Sequence, residues 1–172
     1  MTEFLDLDDV DALGAGAIGE PGRRTFLIQA VCRGETLSIL LEKEQVRLLA
    51  TEVLQFLERI DRDFPEAPSD DSELDGSVRD ADPLFRARVL GIGYDPRRGR
   101  VVLELREWPD NEIPDELEGE APEPRLARIH ASRAQIRAMA RNGISAVEAG
   151  RPTCRLCELP MDPDGHWCPR SN

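Results

Sequence analysis

The sequence predicts an α+β fold: an antiparallel sheet of about five or six strands, two packed helices and a zinc-ribbon-like tail at the C-terminus. Three observations carry this. Two stretches place apolar residues at three- and four-residue spacing. Several shorter stretches alternate, or run apolar, between turn signals. Three of the four cysteines and one of the two histidines crowd into residues 154–168.

The elements follow in order. Residues 1–22 are acidic, then glycine-rich. Phe26 to Val31 and Thr36 to Leu41 read as strands across a tight turn at Arg33-Gly34-Glu35. A helix is expected from about Lys43 to Asp61, because Val46, Leu49, Val53, Phe56, Leu57 and Ile60 share one face. Pro65 and Pro68 end it. Phe85 to Tyr94 alternates as a strand, Asp95-Pro-Arg-Arg-Gly99 turns the chain, and Arg100 to Glu107 returns. Leu126 to Ala131 is a short strand. Ser132 then caps a helix to about Glu148, with Gln135 completing a capping box. Glu44 to Ala50 lines up with Ala134 to Ala140, and Ile39 with Ile129, each ninety residues apart, which suggests an internal strand–helix duplication.

The length fits one domain over 1–150 and a small zinc-binding tail over 151–172. The net charge of −12 is concentrated: residues 61–82 and 108–124 each carry −7, so the chain outside them is slightly basic. Both are expected to be acidic, solvated loops, with a docking role for a basic partner as the other reading. No run reaches the roughly 18 apolar residues that span a bilayer, and Met1 to Asp11 is too acidic for a signal peptide. A cytoplasmic location without a membrane partner is the expectation.

The chemistry concentrates in Cys154-x-x-Cys157-x8-His166-x-Cys168. Thiolate and imidazole are the donors zinc prefers in a tetrahedral array. Pro160 to Gly165 supplies the reversal that returns the second pair. Four ligands describe a closed, structural site; a catalytic zinc keeps a position open. A redox Cys-x-x-Cys is the competing reading. Two features depart from common zinc ribbons: the one-residue spacing of His166 and Cys168, and Glu158 where glycine often follows the second cysteine.

Other motifs weigh less. Gly14-x-Gly16-x-x-Gly19 has the letters of a dinucleotide fingerprint, but Glu20-Pro21-Gly22 follows it where a helix must start, so a glycine-rich strand or turn is the better reading. Cys32 reads as a small buried hydrophobe and His130 as a surface or satisfied core histidine. Arg97, Arg98 and Arg100 sit at one hairpin turn, with Arg86, Arg88 and Arg106 on or beside its strands. They could meet phosphate, but with 5% aromatic residues there is little for bases to stack on, which disfavours nucleic acid.

Gly150-Arg-Pro152, the cysteine pair and Asp162-Pro-Asp-Gly-His166-x-Cys168-Pro-Arg170 resemble a conserved actinobacterial family of unknown function. Gly19 to Phe26, Gln29-Ala30 and Leu41 to Gln45 are similar to it as well. The resemblance implies an uncharacterised repeat protein that tends to occur in a trio with a phosphoglycerate-mutase-like phosphatase and a lipid-kinase-like protein. It implies no catalytic residues. The leading expectation is a non-enzymatic accessory or adaptor protein with a structural zinc site and protein partners, among which the phosphatase-like or kinase-like neighbour would count. Alternatives are an enzyme acting on a phosphorylated small molecule, with Asp95, Glu104 and His130 as the obvious bases, and a nucleic-acid-associated regulator.

Overall fold

The hairpins read from the sequence form, but they do not join into one sheet. The computed structural model describes residues 4–67, 74–108, 124–162 and 165–170. Its elements are β1 (Phe4–Leu7), β2 (Ala12–Ile18), β3 (Thr25–Cys32), β4 (Glu35–Leu41), α1 (Lys43–Asp63), β5 (Phe85–Arg86), β6 (Val89–Asp95), β7 (Arg100–Arg106), β8 (Leu126–Ala131) and α2 (Arg133–Glu148). Two four-stranded sheets result, ordered β2-β3-β4-β5 and β1-β8-β7-β6. The single antiparallel sheet is therefore corrected to two mixed ones. Each contains an antiparallel meander plus one short strand laid parallel at its edge, β5 on β4 and β1 on β8.

The two halves of the chain run the same order of elements, four strands and then a helix. The strand that leads each half completes the sheet of the other. The expected single strand from Phe85 to Tyr94 is thus two: β5 pairs with Ile39 and Leu40, the chain shifts at Ala87 and Arg88, and β6 enters the second sheet. The junctions match as well. Ala87 N–H bonds to Leu40 O at 2.9 Å and Val10 N–H to His130 O at 3.2 Å. Gln45 and Gln135, third in their helices, each accept from the backbone N–H of the residue before the helix, at 2.8 and 2.9 Å. Their amides then donate to Ala87 O and Val10 O at 3.2 and 2.7 Å, so the crossing strands are tied to the helix starts.

One core fills the interior. Rows such as Ala15–Ile28–Ile39–Phe85 and Ile92–Leu103–Ile129–Leu7 face inward, against Val46, Val53 and Leu57 of α1 and Ile136, Met139 and Ala140 of α2. Gly143 lets the helices and β2 close up: a Cβ there would stand 3.2 Å from Val46 and 3.4 Å from Ala15. Buried Arg133 joins α2 to the end of α1 through Asp61 at 2.9 Å and to β6 through the Tyr94 hydroxyl at 2.7 Å.

The first acidic segment is not one loop. Residues 61–63 belong to α1, 68–73 lie outside the described residues, and 74–84 form a strap across the outer face of the first sheet. The strap starts at the free edge of β2, where Ala15 N–H bonds to Gly76 O at 3.1 Å. It passes over Gly14 and Gly16, and Gln29 takes hold of Arg79 by both backbone groups, accepting from N–H at 2.8 Å and donating to O at 2.6 Å. Leu84 N–H then bonds to Ser38 O, and the chain enters β5. The glycines of β2 are explained: a Cβ at Gly14 would lie 2.2 Å from Ser77 O, and one at Gly16 2.9 Å from Val78. Leu27, in the row of Gly16, is 1% exposed although it lies on the face away from the helices. Most of the second acidic segment, 109–123, lies outside the described residues. Its ends are clamped by Arg125 on Glu107, with bonds of 3.0 and 2.7 Å that hold the Glu107 carboxyl below its ordinary range. Among the described residues, no helix is long and apolar enough to cross a membrane.

Candidate metal centre

After α2 the chain makes two small reversals. Thr153 bridges Pro160, Cys154 N–H bonds to Leu159 O at 2.8 Å, and Glu158 N–H bonds back to Cys154 O at 2.9 Å. This folds Cys154-Arg-Leu-Cys157 into a loop with both sulfurs on one side. A second bridge, Asp162 to Gly165, returns the chain so that His166 and Cys168 face the first pair. Arg170 donates to Leu156 O at 3.0 Å and Arg151 to Asp162 at 2.8 Å, tying the two reversals together.

The four expected residues converge. One donor atom each from Cys154, Cys157, His166 and Cys168 lies within 4.8 Å of all the others. Cys154 Sγ and Cys168 Sγ are 3.8 Å apart, and Cys157 Sγ is 3.1 Å from His166 Nε2. No disulfide forms, since that bond is about 2.05 Å long. Two thiolates on one tetrahedral zinc, at about 2.3 Å each, stand about 3.8 Å apart. The donor set and its spacing therefore fit a metal ion. The backbone N–H groups of Cys157 and Leu156 draw the Cys154 thiol down to about 7, so part of it is thiolate at neutral pH, the form that binds metal. Burial raises the Cys157 thiol, and the neighbouring Cys154 and Cys168 sulfurs add to this. A cation held at the centre of the group would reverse that balance, because metal ligation deprotonates a thiol outright.

Glu158 has φ +62°, the left-handed conformation that glycine adopts without cost. The departure noted in the sequence is therefore a strained residue in a glycine position. Glu158→Gly is expected to tighten the tail by about 1 kcal/mol. Metal competition should read this as roughly fivefold greater resistance to chelator.

Trp167 does not pack on the domain: it is 78% exposed, and Leu156 and Leu159 are 54% and 50% exposed. Among the described residues, three of the eight large exposed hydrophobics thus sit on this one loop pair.

The other candidates are less organised. Arg98 pairs with Asp8 at 2.7 Å and Arg100 with Asp9 at 2.6 Å, so two of the three turn arginines already hold acids from the β1–β2 connection. Arg86 pairs with Glu42. Asp95 caps its own turn through Arg97 N–H, and Glu104 pairs with Arg128 at 2.7 Å. His130 is 8% exposed, with Nε2 3.1 Å from Asp6 and 3.7 Å from Asp8. This Asp6–Asp8–His130 group was missed in the sequence because its members lie on β1, beyond β1 and on β8. The alternation Phe4-Leu-Asp-Leu-Asp8 was the available signal. Arg98 on Asp8, and Arg128 at 4.0 Å from Asp6, supply the charge a cation would. Cys32 is half-buried at the rim of a cavity of about 590 Å³ shared with Asp6, Asp8 and Arg33. The glycine-rich segment forms β2 and its turn, with the strap where a phosphate would need room.

Compared with protein families, residues 5–168 match the one described as "Protein of unknown function (DUF3090)". No curated protein and no solved structure matches the chain.

Proposed function

Because the chain belongs to DUF3090, a family of proteins of unknown function, we propose a role from its own geometry: an accessory protein whose tail, ordered by a structural zinc ion, docks on a protein partner. The observation that carries this is Trp167, exposed on a loop anchored on both sides by His166 and Cys168. A large apolar side chain left in water costs solubility, and aromatic residues on a rigid support are the usual anchors of interfaces. Three thiolates and one imidazole complete a tetrahedral shell, so the zinc would order the loop and keep no position open for a substrate. The matched order of elements in the two halves supports reading them as copies of one unit. The uniting of Arg98 and Arg100 with acids argues against a free phosphate site at that turn.

The partners to test are the phosphatase-like and lipid-kinase-like proteins that the resemblance suggests as neighbours. Each, purified, should be titrated against the full chain and against Trp167→Ala with equal zinc content. One of them should bind, and the variant should lose about 2 kcal/mol, roughly thirtyfold in affinity. Binding of neither protein, or equal binding of chain and variant, rejects the docking role of the tail.

A further inference from the structure

The first residues of the two helices, Lys43 and Arg133, hold the same place in the two halves of the chain. Their surroundings differ in charge. Arg133 is buried and its charge is answered: the Asp61 carboxylate lies 2.9 Å away, the Glu66 carboxylate 3.3 Å and the Tyr94 hydroxyl 2.7 Å. Lys43 is exposed, and no described residue pairs with it. The residue ninety positions after Asp61 is Arg151, and it shares a cavity with Lys43. Where one half sets an acid against the cation that starts its helix, the other half sets a second cation.

That cavity has a volume of about 210 Å³ and is lined by Gly22, Arg24, Phe26, Lys43, Gly150 and Arg151. Half of these residues are cationic and none is acidic. Each arginine is fixed by one bond, Arg24 to Ala146 O at 3.0 Å and Arg151 to Asp162 at 2.8 Å. A guanidinium has five N–H donors, so both have others to offer. The Arg151–Asp162 pair is exposed, and such a pair is weak enough to share its cation with an anion. The two glycines clear the space. A Cβ at Gly150 would stand 3.2 Å from Lys43 Nζ, and one at Gly22 would stand 3.5 Å from the Arg151 side chain. Gly22 also has φ +93°, which other residues rarely adopt. The helix dipoles do not set the sign of the field here. The positive end of α1 and the negative end of α2 both meet at the cavity and oppose each other. The three side chains therefore decide it.

We propose that this cavity binds a phosphate monoester, whose dianion takes the place that Asp61 and Glu66 fill in the other half. The charge agrees. Two carboxylates answer Arg133, and a phosphate monoester carries about −1.5 to −2 at neutral pH. A single carboxylate ligand would bring only one charge to three cations. The donors agree as well. Guanidinium forks bond phosphate oxygens in pairs, and an ammonium serves as a point charge. The cavity is larger than a phosphate group, and buried Phe26 makes part of its wall apolar, which leaves room for a short organic part. Lys43 and Arg24 come from the first half of the chain, and Arg151 from the start of the tail, before the metal ligands.

Lys43 is the only lysine in the chain, so ¹³C-lysine labelling gives one Cε–Hε signal that reports on the site directly. The full zinc-loaded chain is titrated with inorganic phosphate and with glycerol 3-phosphate, well above the second phosphate pKa of about 6. Chloride holds the ionic strength constant. The signal is expected to shift and to saturate, with a Kd at or below about 1 mM. The monoester is expected to bind at least as tightly as inorganic phosphate. Arg24→Gln and Arg151→Gln each remove one charge and are expected to weaken binding at least tenfold. Neither arginine belongs to the core, so both variants are expected to keep the thermal unfolding midpoint of the parent chain. Arg97→Gln removes the same charge at the β6–β7 turn and is expected to leave binding unchanged. No saturation by ten times the expected Kd overturns the site. So does unchanged binding by the Arg24 and Arg151 variants, or an equal loss in Arg97→Gln, which would make the effect one of net charge. A monoester bound tenfold more weakly than inorganic phosphate overturns the ligand class.

Discussion

Cys157→Ser is expected to release the tail from 150 onward while the two sheets and helices stay folded. The tail has almost no apolar interior of its own; Cys154 and Cys168 are its buried hydrophobic residues. Its order rests on the four donors and a few backbone bonds. Small structural zinc sites gain about 10–16 kcal/mol of apparent binding free energy, far more than those bonds supply. Native mass spectrometry should find one zinc in the wild-type chain and none, or weakly held zinc, in the variant. In two-dimensional NMR the amides of His166 to Arg170 should collapse to random-coil positions. Those of Leu103 and Ile129, at the centre of the core, should not move. A zinc-free protein from a purification without chelator, with the tail still ordered, would falsify the metal reading.

The second large effect is expected at the strap. Gly14→Val places a branched side chain where Ser77 O already stands at 2.2 Å from the first added carbon. Either β2 or the strap must move. If the strap lifts, Gln29 loses both bonds to Arg79 and Leu27 is opened to water. Overpacking costs typically 1–3 kcal/mol and unsatisfied buried amides about 1–3 kcal/mol more, so a loss of at least ~3 kcal/mol is expected by urea denaturation. The same substitution at Gly93 is expected to be neutral or to stabilise by up to about 1 kcal/mol, since valine suits a strand and meets nothing. Equal losses at the two sites would show that the strap is not what the β2 glycines accommodate.

How much of this was legible beforehand depends on the range of the interaction. Both helices were, because their periodicity and the Ser132–Gln135 cap are local. The two tight hairpins were too, and so was the clustering of Cys154, Cys157, His166 and Cys168, since three cysteines and a histidine in fifteen residues are also a local pattern. What failed was long-range. Phe85 to Tyr94 looks like one strand because alternation continues through it, yet nothing local marks that its first residues pair with Ile39 and its later ones with Leu103. β1 was passed over because four residues inside an acidic N-terminal stretch make a poor strand alone; it exists by lying on β8. The strap was hidden by its acidity, which says solvated chain. The opposing signal was Gly14-x-Gly16, read as strand or turn without asking what approaches it.

The exchange of leading strands bears on how the chain comes off the ribosome. Phe4 and Leu126 are register partners, 122 residues apart. β1 thus has no neighbour until 122 further residues have been made. Meanwhile the first meander and α1 can assemble, but their sheet also stays one strand short until Phe85 and Arg86 emerge. Loops of this length close slowly and reward the chain late. Neither half should therefore survive as a folded fragment. Severed between α1 and the strap, the two pieces should remain disordered apart and fold when mixed, each supplying the strand the other lacks.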